Sequence, residues 1–171
     1  EANLAAFEEK IWSITYTPDI IVLPEMFTTG FTMEPKELAE PVNGKTYKWM
    51  RQMSGQTKSV VLGSAIIKEG NYYFNRLLIA FPDGAIQHYD KKHLFTLAGE
   101  HKEFSSGEER VVVAWKSWKF LVQVCYDLRF PVWSRSQSAT DDLYEYDLVV
   151  YCANWPSTRI KAWDTLLQAR A

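Results

Sequence analysis

Residues 19–25 read Asp19-Ile20-Ile21-Val22-Leu23-Pro24-Glu25 and set the architecture of this chain. A short, wholly apolar run that ends at a proline is typical of a β-strand buried on both faces, as strands are in many α/β proteins. Residues 2–14 carry apolar side chains at helical spacing, which predicts a helix before this strand. Glu25 follows the strand at its carboxyl end, which is where α/β sheets bind ligands.

The remaining pattern alternates between helices and strands. Residues 44–55 predict a second helix, and residues 163–171 predict a last one. Strands are expected at 59–67, 72–81, 85–89, 111–115, 118–124 and 147–153, the first two joined by the hairpin turn Lys68-Glu69-Gly70-Asn71. This order favours an α/β fold with a mixed sheet of about six strands, in a single domain over 1–171. Because no strand precedes the first helix and the chain stops inside a helical pattern, we expect the domain to lack a first strand and a C-terminal part.

The composition limits the kinds of partner. The 171 residues include 19 Lys and Arg against 21 Asp and Glu, so the net charge is −2, and the isoelectric point is about 6.0. Such a chain is not expected to bind nucleic acid, and its apolar runs are too short to span a membrane. Two cysteines outside any CxxC motif predict neither a disulfide framework nor a zinc site, and without a signal-peptide pattern the expected location is the reducing cytoplasm.

Three polar residues follow three separate apolar strands: Glu25, Lys91 and Cys125. If these strand ends meet, a base, an electrostatic stabiliser and a nucleophile come together. A free thiol has a pKa near 8.5, so it needs a neighbouring base or cation to react at neutral pH. Each residue also has a structural interpretation: the thiol as a small buried hydrophobe, the glutamate as a cap of the following turn, and the lysine as part of an exposed charged run. Cys152, which ends the last strand, is expected to be a core residue.

Three blocks of sequence together resemble a known family. They are Leu23-Pro24-Glu25-Met26-Phe27, Tyr89-Asp90-Lys91-Lys92-His93-Leu94-Phe95 and Val124-Cys125-Tyr126-Asp127-Leu128-Arg129-Phe130-Pro131. In this order and at these intervals they resemble the signature blocks of the carbon–nitrogen hydrolase (nitrilase) superfamily. Residues 98–101 and 126–135 make the chain most similar to the omega-amidase branch, which includes 2-oxoglutaramate amidases.

This resemblance implies a fold and an activity. The family folds as an αββα sandwich that pairs into a homodimer. It hydrolyses carbon–nitrogen bonds through a cysteine thioester and uses no cofactor or metal. The implied substrate is a small omega-amide, such as 2-oxoglutaramate or 2-oxosuccinamate, which would yield an acid and ammonia. The alternatives are a nitrile or N-carbamoyl substrate, or a non-catalytic binding or assembly role, against which the intact Glu25, Lys91 and Cys125 argue.

The resemblance also assigns catalytic roles. Glu25 corresponds to the general base and Cys125 to the nucleophile. The catalytic lysine corresponds to Lys91 rather than Lys92, because it stands two positions before the histidine of the block, His93.

The resemblance also implies a second catalytic glutamate, in the loop after the lysine and seven residues before a glycine. Glu100 fits because Gly107 follows at that interval, and Glu103 is the alternative. Catalysis by a Cys–His pair through His93 or His101 is less favoured. A metal site from those histidines and Glu103 is less favoured still, because they lack metal-ligand spacing on one element.

Further residues are predicted to bind the substrate. The backbone N–H of Tyr126 is expected to help hold the oxyanion. Arg129 either pairs with Asp127 or with groups at a helix end, or else it or a neighbouring basic residue holds a substrate carboxylate; the sequence does not decide between these options. Asn154 and Trp155 follow the last strand, so they are expected at the ligand-binding edge of the sheet. Trp155 and Phe31 are predicted to form walls of the pocket, with a place in the core as the alternative.

Overall fold

The computed structural model describes residues 2–137 and 144–171. The α-helices in this part of the chain are α1 (Ala2–Trp12), α2 (Pro35–Leu38), α3 (Lys45–Thr57), α4 (Glu100–Glu103), α5 (Pro131–Ser134) and α6 (Ile160–Gln168). The strands are β1 (Ile20–Val22), β2 (Glu40–Pro41), β3 (Val60–Glu69), β4 (Tyr72–Ala80), β5 (Ile86–Asp90), β6 (Val111–Trp115), β7 (Trp118–Val124) and β8 (Leu148–Cys152). Short 3-10 turns lie at Thr96–Ala98, Cys125–Arg129 and Ser157–Arg159.

These strands form two mixed sheets. The first has the order β1-β3-β4-β5, with β2 paired to the far end of β3, and it combines parallel and antiparallel pairs. The second has the order β6-β7-β8, in which β6 and β7 are antiparallel and β7 and β8 are parallel. The prediction of one sheet of about six strands is wrong, because the two-residue β2 is too short to show a pattern and because the chain passes to a second sheet after β5.

The two sheets pack face to face, with helices on the outer face of the first. The core between the sheets includes Val60, Leu62, Leu77, Ile79, Val113, Phe120 and Val122. The core between the first sheet and helices α1 and α3 includes Leu4, Ile11, Met50, Met53, Val61, Ala65 and Leu78. Strand β3 is buried on both faces because it lies between these two cores. The helix–sheet–sheet layering agrees with the α/β sandwich expected from the sequence.

Most predicted elements are present, with two corrections. The β3–β4 hairpin and the β6–β7 pair form at the predicted places. Strand β1 was expected to be buried on both faces, but Val22 is 46% exposed because β1 pairs only with β3 at the edge of the described sheet. Helix α6 begins at Ile160 rather than Trp163, since the turn after Pro156 leads directly into it, and it ends at Gln168. None of the helices in residues 2–137 and 144–171 has the length and apolar character that a bilayer crossing requires.

Gly107 lies against the end of β5 and helps to fix the backbone at Lys91. Its N–H donates to the Lys91 carbonyl oxygen at 3.0 Å, and a Cβ at position 107 would lie 2.1 Å from the carbonyl oxygen of Asp90. We expect Gly107→Ala to lower the free energy of unfolding by about 1–3 kcal/mol, because the backbone must move. Gly55→Ala is the control, with an expected gain of about 0.5–1 kcal/mol, because a Cβ inside helix α3 has room. Urea denaturation measures both, and equal stabilities would contradict this expectation.

Candidate active site

The structure brings the four predicted catalytic side chains to one place. Glu25 follows β1, Lys91 follows β5, and Cys125 opens the 3-10 turn that follows β7. Glu100 is the first residue of α4, in the loop after Lys91. All four are buried, with exposures of 0% for both glutamates, 1% for the lysine and 9% for the cysteine. The strand ends of both sheets therefore meet at a common site, as the sequence pattern predicted.

Lys91 sits between the two carboxylates. Its Nζ lies 2.8 Å from Glu25 Oε1 and 2.8 Å from Glu100 Oε2. Burial alone would lower the pKa of the Lys91 ammonium, but the negative charges of Glu25 and Glu100 outweigh burial and raise this pKa. The lysine is therefore a fixed cation at neutral pH. The predicted second glutamate is Glu100 by position, because the alternative, Glu103, is exposed to solvent.

Asn75, in strand β4, bridges the same two carboxylates and was missed from the sequence. Its Nδ2 donates to Glu25 Oε1 at 2.9 Å and to Glu100 Oε1 at 3.0 Å. Asparagine is depleted in strands, so an asparagine inside the predicted strand at 72–81 was the signal available in the sequence. The Glu100 carboxylate also accepts from the backbone N–H of Phe95 at 2.6 Å. These donors hold both carboxylates in fixed orientations.

Cys125 has a strained backbone and a protonated thiol. Its φ is +44°, in the left-handed region that non-glycine residues rarely adopt and that is often found at functional sites. Burial raises the pKa of the Cys125 thiol well above its usual value, and the Glu25 carboxylate raises it further, while Lys91 lowers it. The thiol therefore keeps its proton at neutral pH and needs a base at the moment of attack. The Glu25 carboxylate is the group beside the thiol with the largest effect on its pKa after burial, and it is placed to be that base.

Asp127 ties the cysteine turn to the lysine loop. Its Oδ2 accepts from the Tyr89 hydroxyl at 2.7 Å and from the Val124 N–H at 3.0 Å. Its Oδ1 accepts from the His93 N–H and lies 2.8 Å from His93 Nδ1. The carboxylate of Asp127 is therefore occupied by these partners and does not pair with Arg129, which was one of the options left open for that arginine.

The geometry does not support the two alternatives, which were a Cys–His pair and a metal site built from His93, His101 and Glu103. His93 faces Asp127 and stacks on Phe130 with 3.7 Å between ring centroids, and His101 is exposed. Among the described residues, no cluster of three or more His, Cys, Asp or Glu side chains is arranged to hold a metal ion. Cys152 is fully buried in the core between the sheets, and its thiol lies 3.1 Å from the Leu23 carbonyl oxygen, which agrees with the predicted core role.

Cys125 opens into a cavity of about 330 Å³. This volume suits a small molecule. The cavity is lined by Phe31, Lys91, Phe95, Leu97, Cys125, Tyr126, Arg129, Asn154, Trp155, Pro156 and Arg159. The five predicted substrate-binding residues are all among them. Phe95, Leu97, Pro156 and Arg159 were missed because the loops that carry them come together only in the folded chain.

The loop after β8 contributes Asn154 and Trp155 to the site. The backbone N–H of Asn154 donates to Glu25 Oε2 at 3.2 Å, and it also lowers the pKa of the Cys125 thiol against the larger effect of burial. Trp155, the next residue, packs on Trp163 with 5.1 Å between ring centroids. One loop therefore supplies both a polar contact to the base and an aromatic wall of the cavity.

The sequence matches one family along its whole length. The family model described as Carbon-nitrogen hydrolase matches residues 1–171. The chain therefore belongs to the carbon–nitrogen hydrolase family, and the recognition made from the three sequence blocks is confirmed.

Individual relatives support the family assignment. The chain is 49% identical over 171 residues to omega-amidase YafV of Yersinia enterocolitica, a match that covers 100% of this chain and 64% of that protein. It is 32% identical over 156 residues to 2-oxoglutaramate amidase of Bacillus subtilis (strain 168), covering 90% of this chain and 59% of that protein. The chain thus spans less than two thirds of the length of these relatives.

A solved structure shows the same fold. XC1258 from Xanthomonas campestris, described as a CN-hydrolase superfamily protein with an arsenic adduct in the active site, superposes with a TM-score of 0.94 at 41% identity. The match covers 99% of this chain and 64% of that chain. The predicted α/β fold of the nitrilase type is therefore confirmed.

Proposed function

We propose that the protein is an amidohydrolase that cleaves the terminal carboxamide of a small omega-amide to an acid and ammonia. The observation that carries this proposal is the thiol of Cys125 at the base of a small cavity, beside the buried Glu25–Lys91–Glu100 cluster. The relatives named omega-amidase and 2-oxoglutaramate amidase support the substrate class. A substrate such as 2-oxoglutaramate or 2-oxosuccinamate is small enough for this cavity.

The first half of the reaction forms a thioester. Glu25 takes the thiol proton as the Cys125 sulfur attacks the carboxamide carbon, which becomes tetrahedral. The negative charge that develops on the carbonyl oxygen is stabilised by the Lys91 ammonium and the backbone N–H of Tyr126. Glu25 then returns the proton to the amide nitrogen, the carbon–nitrogen bond breaks, and ammonia leaves.

The second half releases the acid. Glu25, again a carboxylate, removes a proton from a water molecule that attacks the thioester carbon. The carbon–sulfur bond breaks and the thiolate of Cys125 recovers the proton from Glu25, which restores the starting state. Protons are conserved within the pair, and the nucleophile is a side chain, so the mechanism needs no cofactor. Glu100 acts through Lys91, which it holds in place at 2.8 Å.

Location and assembly are part of the same proposal. We propose that the protein acts in the cytoplasm, because both cysteines are free thiols and the nucleophile must stay reduced to react. We propose a homodimer on the basis of the family resemblance, and light scattering of the purified protein tests it. The expected substrate is the only partner proposed, and the near-neutral charge of the chain disfavours nucleic acid.

Mass spectrometry of the reacting protein tests the activity. On mixing with 2-oxoglutaramate, we expect ammonia release and a transient mass increase on the peptide that contains Cys125, equal to the acyl group. The Cys125→Ala variant is the control and should show neither. Release of ammonia by that variant at the rate of the unmodified protein would overturn the mechanism, and cleavage of nitriles in preference to amides would overturn the substrate class.

A further inference from the structure

Two guanidinium groups line the active-site cavity without an acidic partner. Arg129 and Arg159 both contribute to its lining, and both are exposed. Neither forms an ion pair with any Asp or Glu of the part of the chain that the structure describes. Lys91, the third cation of the lining, is different because Glu25 and Glu100 neutralise it. The cavity therefore presents uncompensated positive charge at the two arginines.

The other lining residues offer that charge no counterion. Among the described residues, none of those that line the cavity is Asp or Glu, and the walls are largely apolar, with aromatic rings from Phe31, Phe95 and Trp155. Charge interactions are stronger beside apolar walls than in open water. A ligand that fills this cavity is favoured if the part that meets the arginines is anionic, and disfavoured if that part is cationic.

Aromatic rings hold both guanidiniums in place. Arg129 lies over the Trp155 ring and Arg159 over the Phe95 ring, each with 5.3 Å between the guanidinium carbon and the ring centroid. The Trp155 indole N–H also donates to the Arg159 carbonyl oxygen at 3.0 Å. Stacking leaves the edge of a guanidinium free, and that edge donates the paired hydrogen bonds that a carboxylate accepts. The two arginines are thus ordered for binding before a ligand arrives.

We infer that Arg159, acting together with Arg129, is a specificity-determining residue that selects omega-amides with a carboxylate at the opposite end. This inference rests on the proposed function and deepens it by naming the group that the cavity recognises and a residue that recognises it. Arg159 binds the ligand and takes no part in bond breaking. Its loss therefore penalises carboxylate-bearing amides and spares neutral ones.

A matched pair of substrates isolates the carboxylate. Glutaramate carries a terminal carboxamide and a free carboxylate, and its methyl ester keeps the amide but lacks the charge. In the intact protein we expect glutaramate to have a kcat/KM about 10- to 100-fold above that of the ester, mainly through KM. In Arg159→Gln we expect glutaramate to lose most of this advantage while the ester is nearly unchanged. Arg159→Lys should recover part of it, because the charge remains but the paired donors do not.

Lys161→Gln is the matched control, because Lys161 is an exposed cation two residues away that does not line the cavity. It should leave both substrates unaffected. Equal losses on both substrates in Arg159→Gln would assign Arg159 a structural role and overturn the inference, as would no loss on either. Equal activity of the intact protein on the acid and the ester would overturn it too. Failure of the proposed function is distinct, since neither substrate would then release ammonia in a Cys125-dependent way.

Discussion

Glu25→Gln is expected to lower amide turnover by about 10²–10⁴-fold while making the Cys125 thiol easier to alkylate. Turnover falls while the alkylation rate rises, because Glu25 acts on the thiol in two ways. As a base it accepts the thiol proton, which glutamine cannot do. As an anion it raises the pKa of Cys125, second only to burial, and glutamine carries no charge. Removing that charge lowers the thiol pKa while Lys91 continues to favour the thiolate.

The substitution is conservative in geometry. Glutamine has the shape of glutamate and an amide oxygen that can still accept from Asn75 Nδ2, which donates to Glu25 Oε1 at 2.9 Å. The contact that glutamine loses is the one from the Asn154 N–H, which donates to Glu25 Oε2 at 3.2 Å. One weakened backbone contact accounts for only a small part of such an effect, so a loss of about 10²-fold or more reports the lost base. Each unit by which the thiol pKa falls gives about tenfold more thiolate at a fixed pH below that pKa, and the thiolate is the form that alkylates.

Two measurements on one sample check this prediction. Iodoacetamide labelling followed by mass spectrometry gives the alkylation rate of Cys125, and ammonia release gives the turnover. Cys152 is an internal control, because it is fully buried and should stay unlabelled in the folded protein. Slower labelling of Cys125 in the variant would show that Glu25 does not raise its pKa, and near-normal turnover would remove Glu25 from the role of base.

The meeting of Glu25, Lys91 and Cys125 at one place was predictable because each follows an apolar strand. Glu25, Lys91 and Cys125 directly follow the carboxyl ends of β1, β5 and β7 or the turn there. Strands that run in the same direction end at the same edge of a sheet, which is where α/β proteins bind ligands. The sequence pattern alone left a structural interpretation open for each of these three residues. The resemblance of three sequence blocks, in order, to one family favoured the catalytic interpretation instead. The pattern could not predict the distances between the three side chains, because these depend on strand order and register, which are set by pairing across the sheet.

The sequence did not predict the features of the site that depend on tertiary structure. Asn75 bridges the two carboxylates because the register of β3 with β4 and of β4 with β5 turns it toward the site. Arg159 reaches the cavity because a 3-10 turn after Pro156 returns the chain toward Phe95. The left-handed backbone at Cys125 was equally hidden, because no glycine marks it. Each of these depends on tertiary contacts that a linear pattern does not record.

Lys91→Met is expected to lower both stability and turnover, by separate mechanisms. Removing the ammonium leaves Glu25 and Glu100 buried with their charges unpaired, and breaking a buried ion pair typically costs about 3–5 kcal/mol of unfolding free energy. Removing an oxyanion donor typically costs about 10²–10³-fold in turnover. Methionine occupies a similar volume, so cavity formation contributes little to either effect.

The pH dependence of the stability of Lys91→Met tests whether Glu25 and Glu100 are left without a cation. Two buried carboxylates without a cation cannot both remain ionised, so one of them should have a raised pKa in the folded variant. The folded state then binds more protons than the unfolded state, where the pKa of glutamate is about 4.3. The variant should therefore become more stable as the pH is lowered from 7 toward that value. Urea denaturation at several pH values measures this, and a variant whose stability changes with pH as the unmodified protein does would contradict it.

A double variant separates the two roles of Lys91. Adding Glu100→Gln to Lys91→Met removes one of the two unpaired charges and keeps an oxygen that can accept from the Phe95 N–H. We expect it to recover a large part of the lost unfolding free energy, because Glu25 alone retains its donors from Asn75 and the Asn154 N–H. Turnover should stay low, because the oxyanion still lacks its cation. Recovery of turnover together with stability would mean that Lys91 serves only to keep the two glutamates paired.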